Sequence, residues 1–240
     1  MLTNNQRKLI LQLSKKKYRI ANNLFVAEGK KVVNELIASN WRFQNLFSTE
    51  DNFHQDSKIL KFEEMKKITH FNTPSQVLGV FFLPKPQKIL AESTTIALDG
   101  VSDPGNLGTI IRLCDWFGLS ELICSKTTVD SYNPKVIQAS MGSIVRVRCH
   151  YIDDIGTALT NLKKPIYGTT AKGDSIYKET LPKEATYVFG SESHGISTSL
   201  SNNLNGEFAI PSFRKGNNIV ESLNVANASA IFLSELFRSS

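Results

Sequence analysis

The spacing of hydrophobic and polar residues predicts the elements of the first third of the chain. Apolar side chains recur every three or four positions in residues 3–14 and 29–39, which predicts two helices. Short apolar runs bounded by polar or proline residues predict strands at Phe43–Ser48 and Val77–Phe82. The following segment, Leu83–Ser93, contains two prolines and two lysines, so we expect it to be a linker.

Beyond the linker, short apolar runs alternate with helical patterns. The predicted strands are Thr95–Leu98, Glu121–Cys124, Val145–Tyr151, Pro165–Thr169, Thr186–Gly190 and Glu207–Ile210. The predicted helices are about Leu107–Phe117, one that starts near Asn133-Pro134, Asp153–Leu162 and about Ser222–Arg238. Such alternation predicts an α/β fold with a mostly parallel sheet and helices on both faces, and such sheets bind ligands at the carboxyl ends of their strands. We therefore expect two domains, residues 1–88 and residues 89–240.

Composition is ordinary for a soluble globular protein, with 41% hydrophobic and 21% charged residues. No apolar run approaches the roughly 18–20 residues that cross a bilayer, and the first 20 residues do not read as a secretory signal. The cysteines Cys114, Cys124 and Cys149 are far apart and odd in number, which argues against a disulfide framework or a zinc site. We expect a cytoplasmic protein with neither a membrane nor a metal partner.

The positive charge of the chain is concentrated in its first third. Residues 1–88 carry a net charge of +8 and residues 89–240 a net charge of −2, and the first 27 residues contain six basic side chains and no acidic one. A basic domain attached to a near-neutral one is typical of proteins with a polyanionic partner. The candidate contacts are Lys15, Lys16, Lys17 and Arg19, and a solvated helix face explains the same charges equally well.

Three loops that follow predicted strands have an unusual polar composition. In residues 97–118 a strand ends at Asp99-Gly100, and a helix with Asn106 at its start carries Arg112 within an otherwise apolar stretch. An arginine there is costly unless it is paired or faces a cleft, and it is suited to binding phosphate. Helix capping is the simpler explanation for Asn106 alone.

The second and third loops carry further candidate site residues. In residues 187–197 two glycines enclose Glu192, and His194 in the same loop is a weaker candidate for a general base. In residues 208–236 a strand stops at a proline, and a helix opens near Ser222 with Asn224 in its first turn. Because the carboxyl ends of parallel strands lie at one edge of a sheet, the polar groups of all three loops are expected to converge.

The three loops resemble the three signature motifs of the SpoU-type (TrmH-like) RNA 2′-O-ribose methyltransferases of the SPOUT superfamily. The motifs stand in this chain as Asn106, Gly108 and Arg112, as Gly190, Glu192 and Gly195, and as Ile210-Pro211 with Ser222–Val225. The resemblance spans about residues 95–238, and three ordered motifs make it specific. Residues 1–88 are similar in size and position to the RNA substrate-binding domain of that family.

The resemblance implies a fold, a cofactor and a set of site residues. It implies a trefoil knot in the C-terminal domain, a homodimer with the active site completed across its interface, and S-adenosylmethionine as cofactor. The implied catalytic residues are Arg112, Asn106, Glu192, Ser222 and Asn224, with Arg112 acting on the ribose hydroxyl together with the RNA phosphate. The implied cofactor-binding residues are Thr169, Thr170, Gly190, Gly195, Ile210 and Leu223. The candidate RNA contacts stay Lys15, Lys16, Lys17 and Arg19, which the charge pattern singles out.

Two other functions are compatible with parts of the sequence. A non-catalytic RNA-binding module would also carry a basic domain, but it has no chemical need for all five implied catalytic residues. A nucleotide-dependent oxidoreductase is disfavoured because the chain has neither a G-x-G-x-x-G motif nor a Walker loop. The sequence favours a large structured RNA, more readily ribosomal than transfer RNA, and does not identify the nucleotide that is modified.

Overall fold

The computed structural model describes residues 2–90, 92–213 and 222–238. The chain forms two compact units, which we call the N-terminal unit (Met1–Gln87 with Asp130–Val145) and the C-terminal unit (Lys88–Val129 with Arg146–Ser240). Their division falls within the predicted linker, where the described residues form neither helix nor strand. The return of residues 130–145 to the N-terminal unit has no counterpart in the sequence pattern.

The N-terminal unit is a four-stranded sheet with helices on both faces. Its strands are β1 (Leu24–Glu28), β2 (Phe43–Ser48), β3 (Ser57–Ile59) and β4 (Val77–Phe82), in the spatial order β1-β4-β2-β3. Its helices are α1 (Asn4–Gln12), α2 (Lys16–Asn22), α3 (Lys30–Ala38), α4 (Phe62–Met65) and, from the later segment, α6 (Pro134–Ser140). Every residue of β1 is buried, because α1 and α4 contribute to the core on one face while α3 and α6 pack against the other.

The C-terminal unit contains a six-stranded sheet in which all pairings are parallel. The strands are β5 (Thr94–Asp99), β6 (Glu121–Ser125), β7 (Arg148–Ile152), β8 (Ile166–Ser175), β9 (Ala185–Gly190) and β10 (Gly206–Ala209), in the spatial order β10-β8-β9-β5-β6-β7. The helices are α5 (Pro104–Trp116), α7 (Ile155–Thr160), α8 (Thr198–Ser201) and α9 (Val225–Leu236), with a short 3₁₀ helix at Ser143–Val145 in the other unit. The prediction of a mostly parallel α/β fold is confirmed.

Aromatic and aliphatic packing fixes α9 and the middle of the sheet together. The ring of Phe232 on α9 lies 5.0 Å from that of Tyr187 and 5.7 Å from that of Phe189, both on β9, measured between centroids. At the far end of the helix pair α5 and α9, the rings of Phe117 and Phe237 stack at 5.5 Å. Since these rings are large and buried or half-buried, they hold α9 in a defined position behind the carboxyl ends of the strands.

Several predicted elements have different bounds in the structure. The strand predicted at Val145–Tyr151 begins only at Arg148, because residues 143–145 form the 3₁₀ helix. The last helix was predicted from Ser222 but begins at Val225, with Asn224 as its N-cap. The structure also contains elements that the pattern did not predict: β1, β3, α2, α4 and α8. No helix in the described part of the chain has the length and hydropathy to span a bilayer.

Candidate functional site

The start of α5 places Asn106 at the edge of the sheet where β5 ends. Asp103 is the N-cap residue, and its carboxylate accepts a hydrogen bond from the Asn106 backbone N–H at 2.8 Å. Pro104 occupies the first helical turn, where its missing N–H costs nothing. Helix capping, the simpler explanation for Asn106, is therefore supplied by Asp103, and the Asn106 side chain is available for other contacts.

Side chains from all three motif loops meet in one hydrogen-bonded chain. The Asn106 Nδ2 donates to Glu192 Oε1, and the Asn224 Nδ2 donates to Asn106 Oδ1 at 2.9 Å. The Asn224 Oδ1 accepts from the backbone N–H groups of Ala226 at 3.0 Å and Asn227 at 3.2 Å. Because the N-cap role makes the Asn224 oxygen an acceptor, its amide nitrogen must face Asn106, and the Asn106 nitrogen must then face Glu192. We call these three residues the Asn-Asn-Glu network.

Glycines close the loop that presents Glu192. Backbone hydrogen bonds of 3.0 and 2.9 Å join Ser191 and Gly195 in both directions, which makes a narrow turn with Glu192 inside it. A Cβ on Gly190 would lie 2.2 Å from the carbonyl carbon of Gly195, and Gly195 itself has φ of +65°. Neither position tolerates a larger side chain, so the two glycines of the motif are required by the backbone.

A cavity of about 610 Å³ opens beside this turn. Its volume lies within the range of about 300–1,000 Å³ that is usual for small-molecule sites. All six residues predicted to bind the cofactor line it, namely Thr169, Thr170, Gly190, Gly195, Ile210 and Leu223. Of the implied catalytic residues, Glu192 and Ser222 also line it. The rings of Phe189, Phe208 and Phe232 form an apolar wall that sequence analysis did not identify, because such rings look like ordinary core residues until the fold places them.

Arg112 is not brought to the Asn-Asn-Glu network. It is exposed, and it forms no hydrogen bond or ion pair with any residue that the structure describes. Arg112 follows Asn106 by six residues on α5, which separates them by about 9 Å along the helix axis and by about 120° around it. Within one chain, therefore, Arg112 lies on a different side of α5 from Asn106 and makes no contact with the Asn-Asn-Glu network.

The four basic residues predicted to contact RNA have different surroundings. Lys15, Lys16 and Lys17 are exposed at the start of α2. Arg19 is only 2% exposed, and its guanidinium donates to the backbone oxygens of Leu13 and Ser14 and to the carboxylate of Asp130. A buried and fully engaged arginine holds the N-terminal unit together, so we assign Arg19 a structural role in place of RNA contact.

Three other titratable groups of the C-terminal unit, Cys114, Cys124 and His194, lie outside the cavity lining. Burial raises the pKa of the Cys114 and Cys124 thiols, which disfavours their reactive thiolate forms. His194, the weaker candidate for a general base, pairs through Nδ1 with Ser193 Oγ at 2.7 Å on the exposed side of its loop, and it does not line the cavity. Within residues 2–90, 92–213 and 222–238, no group of three or more His, Cys, Asp or Glu side chains is arranged to hold a metal ion.

Two models of known families match the chain in succession. The model described as SpoU rRNA Methylase family matches residues 93–234, and the model described as MRM3-like substrate binding domain matches residues 4–91. Together they cover both units and agree with the resemblance that the three motifs carry.

Curated and solved relatives are similar over nearly the whole length. The 23S rRNA (guanosine(2553)-2′-O)-methyltransferase RlmP of Bacillus subtilis is 28% identical over 240 residues, which covers 94% of this chain and 93% of that protein. A solved structure described as a putative RNA methyltransferase of the TrmH family, from Porphyromonas gingivalis, is 35% identical with a TM-score of 0.88 and full coverage of both chains. The AdoMet-bound rRNA methyltransferase of Sinorhizobium meliloti is 27% identical with a TM-score of 0.85, covering 99% of this chain and 96% of that one. The three-motif prediction is confirmed, and this chain belongs to the SpoU rRNA Methylase family.

Proposed function

We propose that this protein transfers the methyl group of S-adenosylmethionine to a ribose 2′-hydroxyl of ribosomal RNA. The observation that carries the proposal is the Asn-Asn-Glu network, because it joins the three family motifs at the mouth of one cavity. Similar proteins named as rRNA methyltransferases, one of them as a 2′-O-methyltransferase, favour ribosomal over transfer RNA.

The cavity suits S-adenosylmethionine in size and in the character of its walls. Its apolar side, with Phe208 and Phe232, can pack against an adenine ring, while the backbone groups near Thr169, Gly190 and Ile210 can hydrogen-bond to the polar edges. The bound cofactor supplies a sulfonium methyl group that a weak oxygen nucleophile can attack. Leu223 is about half exposed at the rim, where it can cover the cofactor once that is bound.

The residues of the chain then have to orient the ribose and provide for its proton. With S-adenosylmethionine bound, the ribose hydroxyl oxygen would take up the methyl group and would release its proton to solvent water. Arginine is protonated at neutral pH and is a poor proton acceptor, so we assign Arg112 to gripping the RNA phosphate beside the reacting ribose. The Asn-Asn-Glu network and Ser222 hold the ribose side of the site in place.

We also propose a homodimer in which Arg112 acts in the active site of the other chain. Arg112 is exposed and away from its own network, and Trp116, one turn further along α5, is 84% exposed. A tryptophan this exposed is unusual unless a partner covers it, and a second copy of the chain is the partner that the family resemblance implies.

Mixed dimers test this arrangement directly. A dimer of one Arg112→Ala chain and one Glu192→Ala chain has one intact site if Arg112 acts in trans, and none if it acts in cis. We expect each pure variant to be inactive and the mixture to recover up to about half of the activity per dimer that carries one chain of each kind. Absence of recovery in a verified mixed dimer contradicts action in trans.

The remaining parts of the proposal concern the N-terminal unit, the knot and the compartment. We propose that the N-terminal domain, residues 1–88, binds the RNA substrate through Lys15, Lys16 and Lys17, and that residues 89–240 form the catalytic domain. The trefoil knot implied by the family stays a prediction for the segments around β9 and α9. The three free cysteines suit a reducing cytoplasm, which is where we propose that the protein acts.

Two measurements test the proposed activity. Calorimetry is expected to show S-adenosylmethionine binding to the isolated protein, and ribose-methylation maps of total RNA from cells with and without the gene are expected to differ at one or a few ribosomal positions. A protein that binds RNA but neither binds the cofactor nor alters the map is a non-catalytic module, and the proposal then fails.

A further inference from the structure

One wall of the cavity is an excursion of five residues from strand β8. The register between β10 and β8 pairs Glu207 with Gly168 but pairs the next residue, Phe208, with Asp174. The intervening residues 169–173 therefore have no partner in β10, although Thr169 still pairs with Phe189 of β9, and Thr169, Thr170 and Ala171 among them line the cavity. We call residues 169–173 the wall segment.

Both sides of the wall segment are attached to neighbouring strands. On the β9 side, the Thr169 hydroxyl donates to the backbone oxygen of Val188 at 2.9 Å. On the β10 side, the Thr170 hydroxyl donates to Glu207 Oε2 at 2.9 Å and accepts from the Lys172 backbone N–H at 3.3 Å. The Glu207 carboxylate itself does not line the cavity.

Gly173 closes the segment against the same residue. A Cβ at this position would lie 2.4 Å from the carbonyl carbon and 2.5 Å from the oxygen of Glu207. Because these are backbone atoms that cannot swing aside, only glycine lets the end of the segment pack flat on β10. Glu207 thus contacts the segment twice, with its backbone at Gly173 and with its carboxylate at Thr170.

We propose that Glu207 is a positioning residue whose carboxylate, through Thr170, holds the wall segment in the conformation that binds the cofactor. A short excursion that is unpaired on one side lacks the backbone hydrogen bonds to that neighbouring strand and opens locally at lower cost than a fully paired strand. A carboxylate acceptor makes a stronger hydrogen bond than a neutral one, so Glu207 reduces that opening. The inference rests on the proposed function in one respect, namely that the cavity binds S-adenosylmethionine.

The first test measures the wall segment without any cofactor. Amide hydrogen exchange within residues 169–173 of the full chain is expected to rise in Glu207→Ala and Thr170→Val, and to stay at the wild-type level in Glu179→Ala, which removes an exposed carboxylate outside the cavity lining. This readout distinguishes the inference from the proposed function, because it remains valid even if wild-type protein fails to bind S-adenosylmethionine. Unchanged exchange in Glu207→Ala overturns the inference.

The second test measures cofactor affinity by calorimetry. We expect Glu207→Ala and Thr170→Val each to raise the Kd of S-adenosylmethionine about five- to tenfold, and the double variant to be no weaker than either single one. Glu207→Gln keeps a neutral, weaker acceptor oxygen, so its Kd is expected to lie between those of wild type and Glu207→Ala, with kcat at saturating cofactor unchanged in all Glu207 variants. If the effects of the two single variants on Kd add in the double variant, the Thr170–Glu207 hydrogen bond is not their cause. Gly173→Ala, which forces the segment off β10, is expected to weaken binding at least as much as Glu207→Ala.

Discussion

Asn224 offers a way to separate the stability of α9 from the geometry of the active site. Its side-chain oxygen caps the helix by accepting from two backbone N–H groups, while its nitrogen donates to Asn106. Asn224→Ala removes both functions. Asn224→Asp keeps the acceptor oxygens of the cap but replaces the donor that faces Asn106 Oδ1 with a second acceptor.

Asn224→Ala is expected to lower Tm, whereas Asn224→Asp is expected to keep Tm and to lower kcat. Loss of an N-cap costs about 1 kcal/mol, which corresponds to a decrease of about 2–4 °C in Tm for a unit of this size. Asn224→Ala is therefore expected to lower Tm by that amount, whereas Asn224→Asp is expected to keep it, because a carboxylate at a helix N-terminus is favourable by about 0.3–1 kcal/mol. For kcat, the lost donor and the added charge near Glu192 are expected to cost Asn224→Asp at least about 1.4 kcal/mol, or tenfold.

Thermal unfolding and single-turnover methylation of an RNA substrate measure the two quantities separately. Because Asn224 does not line the cavity, cofactor affinity is expected to remain within about threefold of wild type in both variants. Asn227→Asp is the matched control, since it adds a carboxylate in the first turn of the same helix without replacing the Asn106 donor. An Asn224→Asp protein that is as active as wild type, or as destabilised as Asn224→Ala, refutes the assigned orientation of the two amides.

Three further predictions follow from the placement of single groups. Arg112→Ala is expected to abolish turnover while the Kd of S-adenosylmethionine, measured by calorimetry, changes less than about tenfold, or 1.4 kcal/mol; loss of cofactor binding means that Arg112 has a different role. Replacing Lys15–Lys17 by glutamine is expected to weaken RNA binding and to reduce the magnitude of the slope of log Kobs against log salt by up to about 0.9 per lysine. An unchanged slope means that the three lysines form a solvated helix face and do not contact RNA. Burial lowers the pKa of His70 in the folded chain below its ordinary value of 6.5. As the pH drops below 6.5, His70 therefore binds a proton in the unfolded chain more readily than in the folded one, and the free energy of unfolding is expected to fall. Tm measured against pH is expected to decline less steeply in that range for His70→Gln than for wild type, and identical slopes contradict the assignment.

The elements that sequence pattern predicted well are those with a regular pattern of their own. Phe43–Ser48 and Val77–Phe82 match the observed β2 and β4 to the residue, since each is an apolar run with clear boundaries. Strand β1 was not predicted, although Leu24–Glu28 is buried throughout. A strand covered on both faces shows no alternation, and β1 gains its stability from pairing with β4, more than 50 residues away along the chain. Helices of four residues, such as α4, have too few positions to show a period.

The site residues divide in a similar way. The three motifs identified the members of the Asn-Asn-Glu network, because the chemistry of a shared family fixes residue types at fixed spacing. The motifs did not indicate whether Asn224 or Ser222 is the N-cap of α9, since both residue types are good N-caps. The structure makes Asn224 the N-cap, at the position where the helix meets Asn106. Nor did the basic pattern distinguish Arg19 from its lysine neighbours, because the carboxylate that Arg19 binds, Asp130, lies in a distant segment of the chain.

The sequence by itself therefore determined the class of fold, the family and the candidate site residues, because periodicity and motif spacing are local properties of the chain. Tertiary structure alone decided which of those residues touch one another, which arginine is buried and where the wall of the cavity lies. The physical reason is that each of these depends on contacts between segments far apart in sequence, such as the step in register between β10 and β8, and no local pattern records where a distant strand will pair.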